Sequence, residues 1–205
     1  MLRQLVKKFQ GVVDLPIEIG EIRDAVVECG IQDQIVFSAE ELETGTLRGV
    51  FYQYTRRAGV YADPEFHTLI VYPENEDPIW QRVICAKELI HVCDKQIVRT
   101  NTDQEVIELA NKVVGPFETE STEITDLMAA TDKLAQYLAL NLLFPKAARD
   151  LARGRIEADK KTREEIADWV QIPVEHVFLM LSEEWDTMSE FLVAIGNGEF
   201  ATKET

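Results

Sequence analysis

The chain has 205 residues, 46% of them hydrophobic, enough to bury one sizeable core, so a single domain over residues 1–205 is expected. Its formal net charge of −16 argues against direct binding to nucleic acid or to an anionic membrane surface, both of which gather basic proteins. No apolar run is long enough to cross a bilayer, Met1–Lys8 lacks the features of a signal peptide, and Cys29, Cys85 and Cys93 form no even disulfide framework, so a reducing cytoplasmic location is expected.

From Pro16 the apolar residues Ile19, Ile22, Val26 and Val27 recur at helical spacing, with Gly30 as a stop, and residues 1–45 read as an N-terminal helical segment. The period then changes. Residues 47–54, 59–61 and 66–72 are rich in β-branched and aromatic side chains and predict a small, mostly antiparallel sheet of about three strands. After Asp77-Pro78, a helix start with proline in its first turn, Trp80, Val83, Ile84, Leu89 and Ile90 predict a largely buried helix. A helix over 103–113, broken by Gly115-Pro116, and a long amphipathic helix over 122–144, closed by Pro145, follow. Residues 46–152 thus form the expected core. Residues 153–205 form a helical extension, split at Ile172-Pro173, with a tail beyond Gly196 that lacks apolar periodicity. The fold class expected is α+β. Arg149, Arg153, Arg155, Lys160 and Lys161 read as a solvated helix end and turn rather than a binding patch, and His176 as a helix-surface residue.

The buried helix carries Lys87-Glu88-Leu89-Ile90-His91, one residue away from H-E-x-x-H. In the intact motif two imidazoles one turn apart reach the same Zn²⁺, and the glutamate polarises the metal-bound water. An ammonium has three donors and no lone pair, so Lys87 is no ligand unless burial removes its proton. Alone, E-x-x-H is a weak signal. The downstream run from Asp132 to Pro145, Asp-Lys-Leu-Ala-Gln-Tyr-Leu-Ala-Leu-Asn-Leu-Leu-Phe-Pro, adds to it. Together the two segments resemble the ImmA/IrrE family of zincin-like metallopeptidases, over roughly Tyr52 to Pro145, and Glu165 to Val177 looks like that family's C-terminal helical element.

The resemblance implies a zincin-like fold, with Glu88 as general base and with His91 and an acidic residue of the downstream helix as metal ligands. Asp132 is the best match for that acid, with Glu123 and Asp126 as fallbacks. Lys87 at the first histidine position departs from the pattern and implies a degraded site with no metal expected; zinc belongs to the alternative, an active peptidase with an atypical ligand set. For Lys87 two readings stand side by side: pairing with Glu88 or Asp132 as a fixed charge in place of the cation, or extending to solvent. His67 either lines the cleft or serves as a cross-strand hydrogen-bonding residue. The resemblance further implies a peptide or protein partner, of which a DNA-binding repressor is one example, bound by strand addition at the sheet edge near Phe66 to Tyr72. A third reading is a structural or assembly subunit with a filled cleft.

Overall fold

The computed structural model describes residues 1–41, 49–56, 63, 65–93 and 124–196, with side chains of the helix that opens at 124 described from 129 onward. Among them are eight helices and one three-stranded sheet: α1 (Leu2–Phe9), α2 (Ile19–Glu28), β1 (Gln34–Glu40), β2 (Val50–Arg56), β3 (Glu65–Pro73), α3 (Pro78–Val92), α4 (Ile124–Leu143), α5 (Lys146–Glu157), α6 (Arg163–Val170), α7 (Val174–Met180) and α8 (Glu183–Gly196). The class is α+β, as expected. The expected strand at 59–61, the helix at 103–113, Glu123 and the tail beyond Gly196 lie outside the described residues.

The sheet differs from the expected meander. Its order is β1-β3-β2, with β1 parallel and β2 antiparallel to β3, so it is mixed. Strand β1 comes from the segment expected to be helical, where Ile35-Val36-Phe37 carries the strand signal. A parallel partner needs a crossover between the strands. Here the chain places β2 between β1 and β3 in sequence but not in space. Because β3 is paired with β1 over residues 67–73 and with β2 over residues 65–71, its central stretch 67–71 is in use on both sides, which corrects the expectation of strand addition there. Among the described residues the edges of this sheet are β1 and β2.

Helix α3 begins as the sequence predicts. Asp77 accepts a hydrogen bond from the Ile79 N–H at 2.8 Å, and Pro78 occupies a position where its missing N–H costs nothing. The helix packs against β2 and β3 and also, most extensively, against α4. That double contact explains why nearly its whole circumference is buried, polar Glu88 and His91 included. Leu138, Ala139, Leu142 and Leu143 of α4 join the same core, which α1 and α8 extend on another side. Further on, Thr162 and Glu165 form a reciprocal capping box that starts α6. Gln171, in the left-handed region at φ 58°, ends it before Pro173 opens α7, the split expected from the sequence.

Candidate functional site

Lys87, Glu88 and His91 project from α3, and Asp132 from α4, so the two segments that carried the family resemblance meet in space. Lys87 Nζ donates to Asp132 Oδ1 at 2.7 Å and lies 2.9 Å from Glu88 Oε1. Neighbours in sequence diverge around a helix. The Lys87–Glu88 contact is accordingly a charge contact rather than an aligned hydrogen bond, and Glu88 Oε1 has no well-directed donor. On the same Asp132 oxygen, His91 Nε2 closes at 3.1 Å. Of the two readings of Lys87, pairing is the one observed. Its side chain is only 12% exposed, and those of Glu88, Asp132 and His91 are 3%, 10% and 10% exposed.

Burial alone would strip charge from such a cluster. For Lys87 it acts to lower the pKa, but Glu88 and Asp132 outweigh it and hold the amine charged well above the ordinary lysine range. For Asp132 burial acts upward and is outweighed by Lys87 and His91, which hold the carboxyl well below the usual carboxylate range. An ionised Asp132 only accepts, so the hydrogen bond from His91 requires the proton on Nε2. The nearby Cys85 thiol is pushed up to about 12 by burial and by the charge of Glu88, which makes it an inert packing residue rather than a nucleophile.

Two further residues shape the site. The Phe51 ring of β2 stacks on His91, with centroids 5.9 Å apart and planes 14° from parallel. Gly49, just before β2, lies so close to α3 that a Cβ there would fall 2.5 Å from Ile84 Cγ2 and 2.9 Å from Glu88 Oε1. Sequence reasoning missed both. A glycine at the head of a β-branched and aromatic run was the available signal for close backbone approach.

The other candidates lie elsewhere or undescribed. Phe51 pairs with Ile70 and faces α3, whereas His67, three residues from Ile70, falls on the opposite face of the sheet. There it stacks on Tyr54 at 5.1 Å, and its Nε2 lies 3.6 Å from Glu65 Oε2, beyond hydrogen-bonding distance. It is neither a cleft residue nor a cross-strand hydrogen-bonding one. Asp126 lies on the backbone of α4, upstream of Asp132, outside the described side chains. His176 is half-buried, with its ring edge-on to Trp80 at 5.2 Å, and is not the surface residue expected.

The residues present do not fit a zinc ion. Catalytic zinc takes three protein ligands and keeps a fourth position open. Lys87 offers no lone pair, His91 turns its Nε2 proton to Asp132, and among the described residues no group of three or more His, Cys, Asp or Glu side chains is arranged to hold a metal. No helix of the described residues is long and apolar enough to cross a membrane. No family model matches the chain, and neither the curated proteins nor the solved structures contain a match.

Proposed function

We propose that the chain is a zincin-like pseudoenzyme, a relative of the ImmA/IrrE-type peptidases whose metal site has become a salt bridge and which acts by binding a peptide or protein segment. One observation carries this reading: Lys87 stands at the first-histidine position of the motif with its ammonium 2.7 Å from Asp132, the best match for the acidic ligand that the resemblance implies. A monovalent ammonium there supplies fixed positive charge between two helices. It leaves Glu88 facing a cation but with no polarised water to act on, so hydrolysis by the usual zinc route has no nucleophile. A repressor-type protein is the partner class that the resemblance suggests.

The test is metal binding by two forms of the protein. Purified without chelator, the parent should contain far less than one zinc per chain by elemental analysis, whereas Lys87→His should gain saturable zinc binding that His91→Ala abolishes. About one zinc per parent chain, lost on His91→Ala, would instead establish the active peptidase. The near-complete burial of Glu88 and His91 favours a second reading, in which the cluster is only an α3–α4 clasp in a structural subunit. In that case Lys87→His would weaken the fold without gaining zinc.

A further inference from the structure

A cavity of about 630 Å³ opens where α1, the end of α4, the start of α5 and α8 come together, and it shares no residue with the Lys87–Asp132 site. Its lining gathers Arg3, Lys7, Lys146 and Arg149 against two carboxylates, Asp186 and Glu190. That is a local cationic excess in a chain with 21 basic and 37 acidic residues. Asp186 is moreover engaged already, by Arg149 at 2.8 Å and Arg153 at 2.9 Å.

The floor carries a hydrogen-bonding deficit of one sign. Asn141, 5% exposed, accepts at Oδ1 from Trp185 Nε1 and from Arg149 Nη1, each at 3.2 Å. Both partners only donate, which fixes the orientation of the amide. Its Nδ2 is thereby turned to where no acceptor stands, and the Nε of Arg149, 2% exposed, is unmatched as well. Native interiors rarely leave buried donors without acceptors. Both nitrogens belong to residues that line the cavity beneath a cationic rim, a setting that suits a ligand made of acceptor oxygens.

We propose that this cavity binds a small oxyanion, a phosphate ester or a polycarboxylate, with Lys7 and Lys146 at its mouth, Arg149 at its side and Asn141 at its floor. The volume suits a whole metabolite-sized molecule rather than a single ion. Neither unmatched nitrogen is open to solvent. The ligand therefore reaches them with a small shift of the floor, while Lys7 meets its charge directly and Lys146 does so by giving up its 2.8 Å pair with Asp150.

Isothermal titration at constant ionic strength, with inorganic phosphate, AMP and citrate as probes, tests the site. At least one probe should saturate a single site with Kd of about 1 mM or tighter. AMP or phosphate above citrate identifies a phosphate ligand, and the reverse order a carboxylate. Lys7→Glu, at an exposed position, and Lys146→Glu, at a half-exposed one, should each weaken binding about tenfold or more. Lys160→Glu, exposed and outside the lining, should leave it unchanged. The proposal is overturned if no probe shows saturable heat, if the two lining substitutions leave Kd unaltered, or if Lys160→Glu weakens binding equally.

Discussion

Helix α4 joins two clusters of buried charge, nine residues apart, that are built in different ways. At Asp132 a lysine and a histidine from α3 converge on one carboxylate oxygen. Around Asn141, Arg149 spreads its donors over the Asn141 side chain, the Phe144 carbonyl at 2.6 Å and Asp186. Arg153 ties Asp186 to the backbone carbonyls at the end of α7 and the start of α8. Burial lowers the pKa of Arg149, but a guanidinium starts so high that it stays charged. The planar fork matches several acceptors at once and braces the α4–α5 turn against α8. The ammonium at Lys87 is a point charge facing two carboxylates, only one of them through an aligned hydrogen bond. The arginine cluster thus commits most of its donors to bracing the helices and leaves Asn141 Nδ2 and Arg149 Nε unmatched, whereas the lysine cluster converges on a single carboxylate oxygen.

Breaking one side of either cluster separates these descriptions. Arg149→Ala is expected to be the most damaging change, about 4 kcal/mol in urea unfolding, because it takes a donor from the buried Phe144 carbonyl and from Asn141, leaves Asp186 with Arg153 as its remaining guanidinium, and opens a cavity. Lys87→Ala should cost about 3 kcal/mol by leaving Asp132 buried with His91 and without its ammonium. A midpoint within about 0.5 kcal/mol of the parent would mean that the Lys87 pair does not contribute to the fold.

Gly49→Ala should cost about 2 kcal/mol, since the new methyl must displace Ile84 and Glu88 from their contact with the strand. If it is neutral, β2 is not held against α3 as closely as the geometry requires. Lys87→Met preserves length and packing and should cost about 1–2 kcal/mol at neutral pH, less than the alanine change.

The smallest effect is the pH dependence of that last difference. Asp132 has its carboxyl depressed below the ordinary value of 3.8, so the stability it draws from Lys87 is full above that value and is lost as pH falls through the folded pKa. The stability gap between parent and Lys87→Met should therefore narrow as the medium is acidified below pH 3.8. For Lys87, raised above its ordinary 10.5, the contribution is full below that value and lost only in stronger alkali. A gap that stays constant into acid would show that the difference between lysine and methionine at this position does not depend on an ionised Asp132 and so does not come from the pair.

Local chemistry along the chain was sufficient for much of the helical framework. Asp77-Pro78 starts α3, Pro145 closes α4, and Ile172-Pro173 divides α6 from α7, because caps and prolines act on the backbone within a few residues. The meeting of Lys87 with Asp132 was also legible, from two apolar helices each presenting polar residues in a recognisable pattern. Sheet order was not. Whether Gln34–Glu40 is helix or strand, and whether Glu65–Pro73 is an edge or the centre, depends on which backbone groups find partners far away in sequence, and periodicity carries no record of that. The same holds for His67, whose placement away from the site follows from register.

The sequence by itself determined the residue types available: a lysine in place of the first histidine of an H-E-x-x-H pattern, a glutamate beside it, a histidine one turn on, an acid on a later helix, and arginines near the start of α5. Only the tertiary structure decided their states. It buried Arg149, which by composition belongs in water, because Asp186 and the Phe144 carbonyl arrive from other elements to replace its hydration. It also turned Lys87 inward, because in the gap between α3 and α4 the two carboxylates repay the loss of solvent that burial imposes on an ammonium.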